Sequence, residues 1–423
     1  MKFAIHTFGC KVNIYESEYI INLMQDNGYT LVDFTEEADI YIINTCTVTN
    51  TSDNKSLKVV RRVLKNNPNS IVVVVGCMTQ VNSKLLNDLN VSIILGNSGK
   101  SKIVEYIEQY KKTKEKIIDV QDIMEKDFED MCLNNFNKTR AFVKIEDGCE
   151  NFCSYCIIPY ARGKVRSKKP EIVIEEIKNL IRDGHKEIVL TGIHTGHYGS
   201  DLEGFCFSKL LKEIEKIEGL ERLRISSIEI TELDDAFMDV LNSSKILVDH
   251  MHIPIQSGSN DILKLMNRKY NKEYFIYKIE KIRTIRPDIS ITTDLIVGFP
   301  GETEELFNET IDTINKIRFS KIHVFPFSLR KGTKAEELPN HIDDVTKKER
   351  AKSILKISQN LEKEYFNRFI NKEVEFLPEI YKDGYIIGHT GNYLLIKTNG
   401  SMDDLNKIKK IKIEKIEYPY CLG

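Results

Sequence analysis

The sequence contains no tryptophan, and Lys, Ile and Asn are abundant, a bias that reflects base composition rather than function. With 22 glycines and ten prolines in 423 residues, it has too little of either for a collagen-like or low-complexity chain. No charge of one sign predominates: 61 Lys and Arg stand against 63 Asp and Glu. The resulting net charge of −2 excludes a globally basic nucleic-acid binder, so any RNA contact requires local basic patches. Long apolar runs are also missing. Blocks such as SIVVVVG (70–76) are strand-sized, far below the roughly 20 residues that span a bilayer. The start, MKFAIHTFGCKVN, carries no apolar leader. A cytoplasmic protein without membrane contact is expected.

Cysteine is what such a protein does not need, yet there are nine. In the cytoplasm they stay reduced, so clustered ones point to metal or catalysis and not to disulfides. The length exceeds what one core organises, and the chain divides by pattern. Residues 1–115 alternate apolar strands with helical periods, the mark of a parallel α/β domain. Residues 116–139 lack periodicity and read as a linker. Residues 140–368 restart the alternation with six strand candidates, AFVKIED, EIVLTGI, RLRISSI, VDHMHIPI, ISITTDLIVG and KIHVFPF. Six β/α units predict a partial (β/α)6 barrel, whose working residues gather at the carboxyl ends of strands. The stretch 347–368 is a basic helix, a candidate RNA surface. Residues 369–423 are β-rich with KDG, GN and NGS turns, and predict a small antiparallel β-barrel. The fold class is thus α/β with a small all-β unit at its end.

The first barrel strand is followed by CENFCSYC, which places Cys149, Cys153 and Cys156 on one loop. Three thiolates can hold three irons of a four-iron cube and leave the fourth open to a small molecule. A structural zinc site completed by a distant ligand is the alternative. A second triad is scattered. Cys10, Cys46 and Cys77 each follow a predicted parallel strand, so all three fall on one edge of the sheet, where loops converge. Three unrelated core cysteines are the plain alternative. Cys132, Cys206 and Cys421 fit neither spacing and are read as non-ligands.

The spacing C-x3-C-x2-C with Tyr155 before the third cysteine resembles the signature of radical S-adenosylmethionine (SAM) enzymes. TFGCKVNIYESE, YIINTCTVTNTSDNKS, VVVVGCMTQ, HIPIQSGSNDILKLMNRKY and DLIVGFPGETEELF resemble, in order, the radical SAM methylthiotransferases. The resemblance implies two [4Fe-4S] clusters, one bound with SAM on Cys149, Cys153 and Cys156 and an auxiliary one on Cys10, Cys46 and Cys77. It implies reductive cleavage of one SAM, hydrogen removal from C2 of a modified adenine, sulfur delivery from the second cluster, and a methyl group from another SAM. The last unit resembles the TRAM domain, an RNA-binding module. GCKVNIYESE is similar to the branch that acts on N6-threonylcarbamoyladenosine at position 37 of tRNA. The branches for isopentenyladenosine, with GCQMN, and for a ribosomal-protein side chain, with GCPKN, match less well. A non-catalytic zinc and RNA-binding protein is a further alternative. Expected partners are the tRNA anticodon stem-loop, an electron donor such as flavodoxin or ferredoxin, and a sulfur source; a monomer is expected.

Other candidates sit at strand ends. Thr191, Gly192 and Ile193 stand where other radical SAM enzymes carry an acidic Gly-Gly-Glu segment. With no acid there, backbone carbonyls are expected to meet the SAM amino group. His194 and His197 are read as exposed loop histidines. Ser227, Glu229, Gln256 and Ser257 are candidates for SAM's carboxylate or ribose, and Ser259 for a helix cap. Gly298, Phe299 and Pro300 resemble the adenine-contacting segment, and Glu302 is read as a first-turn helix acid. Arg162, Lys164, Arg166, Lys168 and Lys169 follow the cysteine loop and are candidate phosphate contacts. Tyr385 and Tyr393 could stack on bases or fill a core.

Overall fold

Runs of β-branched residues with apolar side chains on both faces need cover on both faces. The computed structural model spans residues 1–423, and its first unit supplies that cover. Strands β1 (Lys2–Thr7), β2 (Thr30–Leu31), β3 (Ile40–Thr45), β4 (Ile71–Gly76), β5 (Ile93–Leu95) and β6 (Ile117–Asp119) form one sheet, ordered β2-β1-β3-β4-β5-β6. Every pairing in it is parallel. Helices α1 (Lys11–Asp26) and α4 (Ile103–Thr113) cover one face, where Ile20, Met24, Ile103 and Ile107 meet Ile42, Val73 and Leu95. Helix α2 (Asn50–Asn66) covers the other, with Leu57, Val60 and Val63 against Tyr41, Ile43, Val72 and Val74. Short α3 (Cys77–Asn82) begins on the residue after β4. Strand β6 lies in the stretch read as linker. Three residues are too few to show a period, and only the neighbouring strand reveals it.

The central unit follows the expected six strands. Strands β7 (Arg140–Lys144), β10 (Glu187–Thr191) and β11 (Arg222–Ile225) pair in parallel, as do β12 (His250–His252), β13 (Ser290–Val297) and β14 (Lys321–Pro326). A bridge between Leu223 and Leu247 joins the two sets. Between β7 and β10 lies a small antiparallel pair, β8 (Glu146–Asp147) with β9 (Arg166–Ser167), which brackets the cysteine loop and helix α5 (Ile158–Arg162). Outer helices α6 (Pro170–Arg182), α7 (Phe207–Ile214), α8 (Asp235–Ser243), α9 (Asn260–Leu265), α10 (Lys272–Ile285) and α11 (Glu304–Ile317) separate the strands. Helix α6 starts on Pro170, whose fixed φ suits a first helical residue.

Helix α12 (Asp344–Asn367) is the expected basic helix. Its inner face is pinned to β14, since Ser358 Oγ accepts from Ile322 N at 2.9 Å. Tyr365 and Phe366 at its end enter the core of the last unit with Phe369, Phe376, Leu394, Ile396 and Cys421. That unit contains β15 (Glu373–Lys382), β16 (Tyr385–Thr390), β17 (Leu395–Asn399), β18 (Lys409–Lys412), β19 (Lys415–Glu417) and β20 (Tyr420–Leu422), in the order β18-β15-β16-β17-β20-β19. One pairing, β17 with β20, is parallel. The sheet is therefore mixed and curled, a half-barrel and not a closed antiparallel barrel. Sequence neighbours β18 and β19 occupy its two edges, which only a curled sheet permits. No helix is long and apolar enough to cross a membrane.

The last unit docks under the amino ends of β7, β10 and β11. Arg224 donates to Gly391 O at 3.0 Å, Arg222 to His389 O at 3.3 Å, and Arg140 to the Tyr393 hydroxyl at 3.1 Å. The carboxyl ends of the strands are left to the cysteine loop.

Candidate functional site

Two glycines shape the first cysteine edge. Gly9 and Gly76 each precede a cysteine and hold φ of +100° and +107°, which an L side chain avoids. A Cβ on Gly9 would lie 3.0 Å from Cys46 Sγ, so the Cys10 loop rests directly on Cys46. Cys46 and Cys77 are buried and Cys10 is exposed. Burial pushes the Cys46 thiol up to about 11, and the neighbouring Cys77 and Cys10 add to the rise. Cys77 accepts from Arg162 Nε at 3.2 Å and from Asn97 Nδ2 at 3.4 Å. Same-edge placement thus brings the scattered triad together.

The second triad is held by its surroundings. Gly148, φ +94°, lets the loop turn where a Cβ would lie 1.7 Å from Lys164 O. Ser154 N donates to Met266 O at 3.1 Å, and Ser154 Oγ to Leu265 O at 2.7 Å. Cys156 is pushed up to about 12 by burial and by Cys153 and Cys149 beside it. Arg268 donates to Cys153 Sγ at 3.3 Å and pairs with Glu229 at 3.1 Å. His194 bonds Glu232 and lies 3.5 Å from Glu229. Burial opposes its charge, but hydrogen bonds to Cys149, Glu229 and Glu232 raise it to about 12. Each triad therefore has a cation against its sulfur.

Thiols on one tetrahedral zinc lie about 3.8 Å apart. The only three ligand side chains whose atoms fall within 4.8 Å of one another are His194, His197 and Glu232, so neither thiol triad is drawn to single-ion spacing. Soft thiolates, wider spacing and adjacent cations fit a polynuclear iron–sulfur cluster at each triad.

Arg162 links the two. It is fully buried and donates to Glu16 Oε1, to Asn13 Oδ1 at 2.7 Å and to Asp147 Oδ2 at 3.2 Å, besides Cys77. Lys100 and Lys144 reach the same Glu16 at 3.2 and 2.9 Å. Burial alone would raise Glu16, but Arg162, Lys100 and Lys144 hold it well below the usual carboxylate range. With Arg166 3.7 Å from Asp147, four cations face two carboxylates, so the knot keeps positive charge beside the thiols. Replacing Arg162 with Leu leaves Glu16 with Lys partners only, and Asp147 with Lys144 and the more distant Arg166 at 3.7 Å. The expected cost is about 3 kcal/mol, read as a lower urea midpoint, together with loss of iron.

Several expected roles change. Arg162 is not a phosphate contact, because it is sealed inside. Arg166 is buried too and donates to Arg162 O at 2.6 Å. Lys168 is buried against Glu176 Oε2 at 2.5 Å and Tyr15 Oη at 2.9 Å. Only Lys164 and Lys169 of that run are exposed. A charge run predicts solvent by default, and here the partners lie up to 153 residues away. His194 is buried and not an exposed loop residue, whereas His197 is exposed. Ser257 is fully buried, with its Oγ facing Thr310 at 3.4 Å and accepting from Ser259 N. Phe299 is also fully buried, edge-on to Tyr155 and Phe327, so it is a packing residue and only its backbone could meet a ligand. Ser259 occupies the cap position before α9, but its hydroxyl makes no cap bond. Glu302 precedes α11, whose first residue is Glu304, and pairs with Arg350 at 2.8 Å and Gly298 N at 2.6 Å.

The remaining candidates divide. Ser227, Gly192, Ile193, Gln256 and Tyr155 are half-buried near the carboxyl ends, while Thr191 in β10, Glu229, Gly298 and Pro300 are buried, and Glu229 is engaged by Arg268 and by Asn151 at 2.7 Å. Gln256 holds φ +64° and bridges to Leu295, which turns the chain over β13. An acid does stand at Gly192: a Cβ there would lie 2.6 Å from Glu146 Oε2. Glu146 is buried, its Oε1 has no partner, and burial pushes it up to about 8. The sequence reading missed Glu146 because the acid comes from β8 and not from the Gly192 segment. It also missed Arg268 and Glu16, which stand inside quoted motifs, and Asn97, which follows β5.

The chain is similar to known proteins along most of its length. The family described as Uncharacterized protein family UPF0004 matches residues 2–96, and Radical SAM superfamily matches residues 143–314. The chain is 44% identical to the threonylcarbamoyladenosine tRNA methylthiotransferase MtaB of Bacillus subtilis, over 99% of this chain and 95% of that protein. It is 38% identical to the protein of that name from Aquifex aeolicus, over 98% and 100%. It is 36% identical to a tRNA-2-methylthio-N(6)-dimethylallyladenosine synthase of Thermoanaerobacter, over 89% and 82%. Among solved structures, the radical SAM methyltransferase TsrM of Kitasatospora setae, with cobalamin and a [4Fe-4S] cluster bound, superposes with a TM-score of 0.59 at 13% identity. The match covers 79% of this chain and 73% of that one. This likeness concerns the fold.

Proposed function

The chain belongs to the radical SAM methylthiotransferases, and on that premise we propose that it places sulfur and a methyl group at C2 of N6-threonylcarbamoyladenosine in tRNA. The observation that carries the reading is the pair of three-thiol sets, each one ligand short of a complete four-iron cube, joined through Arg162. Cys149, Cys153 and Cys156 hold the cluster that takes SAM, and Cys10, Cys46 and Cys77 hold the second. When bound, these groups supply radical cleavage of SAM and the sulfur that is transferred.

The protein's own part is binding, orientation and charge. Arg268 and His194 offset negative charge at the first triad, and Arg162 does so at the second. Glu146, through its unpartnered Oε1, receives the amino group of SAM beside Gly192. Thr191, Ile193, Ser227, Glu229, Gln256, Gly298 and Pro300 frame the rest of that ligand. Tyr155 supports the loop from below by packing on Phe299. The division into residues 1–115, completed by β6, then 140–368 and 369–423 gives one cluster each to the first two parts and leaves the third for RNA.

Lys164, Lys169 and the outer face of α12, with exposed Lys348, Lys352, Lys356 and Lys363, form local cationic surface on a chain of net charge −2. They suit the phosphates of an anticodon stem-loop. An electron donor of the flavodoxin or ferredoxin class and a separate sulfur source complete the reaction, in the cytoplasm where tRNA is modified. Deleting the gene is expected to leave tRNA with threonylcarbamoyladenosine that lacks its methylthio group, read by mass spectrometry of digested tRNA. Loss of the methylthio group from isopentenyladenosine instead would move the chain to the other branch.

A further inference from the structure

A cavity of about 480 Å³ lies inside the partial barrel and is walled by all three parts of the chain. It is well within the range of small-ligand sites, about 300–1,000 Å³. Its character departs from the usual apolar lining: only five of 19 wall residues are hydrophobic. Such a wall suits a substituent rich in oxygen and nitrogen, and wastes the burial of a hydrocarbon one.

The wall's charges are mostly spent on each other. Asp294 lies 3.3 Å from His252 Nε2. Glu362 accepts from Lys321 at 3.0 Å and from the Tyr418 hydroxyl at 2.8 Å. Arg140 and Arg224, beneath Tyr393, are engaged by Glu379 and Glu187 at 3.1 and 2.6 Å. Lys11 differs. It lines the cavity directly after Cys10 and makes no ion pair or hydrogen bond through its ammonium group. In the same wall, His250 is only 6% exposed, stacks on Tyr393 at 4.5 Å, and has a buried Nδ1 without a partner. His323 also lines the cavity with no hydrogen bond of its own. One free cation, the unpartnered Nδ1 of a His250 ring whose Nε2 lies 3.2 Å from Thr292 Oγ1, and the unbonded His323 imidazole ask for an anion carrying further hydrogen-bonding groups.

We propose that this cavity receives the N6 substituent of the substrate base and that Lys11 pairs with its carboxylate. This rests on the function proposed above and goes further, by naming the residues that select the substrate. A threonylcarbamoyl group carries a carboxylate for Lys11, and a hydroxyl and a urea-like linkage for His250 and His323. A dimethylallyl group has none of these and would leave Lys11, His250 Nδ1 and His323 unpaired. Discrimination by unpaired polar groups is strong, because each buried group without a partner carries its full desolvation penalty.

The test uses the full chain with both clusters reconstituted under anaerobic conditions. Three anticodon stem-loops of one sequence carry threonylcarbamoyladenosine, dimethylallyladenosine or adenosine at the target position. The preference is the ratio of kcat/KM for the first to that for the second, with direct binding of each stem-loop measured alongside. Lys11→Met is expected to lower the binding advantage of the threonylcarbamoyl stem-loop roughly 30-fold or more, and Lys11→Arg to restore most of it. Iron content equal to wild type certifies the variant. If Lys11→Met loses iron, His323→Leu on the far wall provides the same comparison, with a smaller loss expected. A wild type that methylthiolates the threonylcarbamoyl stem-loop while iron-replete variants keep its full preference overturns the inference alone. A wild type that ignores that stem-loop overturns the functional reading and the inference together.

Discussion

Cys153→Ala is expected to lose about half of the bound iron, since one of two four-iron sites is broken, and to abolish SAM cleavage. Cys153 is the middle thiol of a loop tied down at its neighbour Ser154. Ser154 N and Oγ are tied to Met266 and Leu265, and Ser154 O accepts from Ala335 N at 2.7 Å. The loop cannot shift to bring another ligand into place, because the next nearest donors, His194 and Glu229, are already paired. Removing the thiol also leaves Arg268 facing no sulfur, so charge at the site is unbalanced as well. Iron assay and anaerobic detection of 5′-deoxyadenosine measure the two effects. Full iron content in this variant would contradict the assignment.

Cys46→Ala separates the two sites. It is expected to lose the other half of the iron and all methylthio transfer, yet to retain reductive SAM cleavage. The reason lies in the layout. Cys46 belongs to the edge of the first sheet, packed under Gly9, while the cleavage site stands on the loop beyond β8. The buried knot of Arg162, Glu16, Lys100, Lys144 and Asp147 joins them but does not involve Cys46 directly. Its substitution removes a sulfur and leaves the knot intact. Loss of SAM cleavage along with methylthio transfer would show that the sites are not separable in this way.

Much of this arrangement was legible in the chain. The first sheet followed from apolar runs that demand cover on both faces, and Cys10, Cys46 and Cys77 fell at strand ends that a parallel sheet must gather. The six barrel strands followed likewise. Long-range pairing was not legible. Arg162 and Lys168 read as part of an exposed basic run, because nothing local reveals that Glu16 and Glu176 will bury them. Glu146 was overlooked since its relevance depends on Gly192, 46 residues away and one strand over. Strand β6 and the parallel β17–β20 pairing are similarly properties of neighbours. Lys11 was visible only as a letter within GCKVN; that it walls a cavity with His250 and His323 depends on the docking of three units.

The most direct measurement is the reaction of the purified, anaerobically reconstituted chain with SAM, a reductant and a stem-loop bearing threonylcarbamoyladenosine, the product nucleoside being identified by mass spectrometry. The expected result is threonylcarbamoyladenosine that has gained one methylthio group, formed by wild type and by neither cysteine variant. An iron-replete protein that cleaves SAM but leaves this nucleoside unchanged would contradict the account.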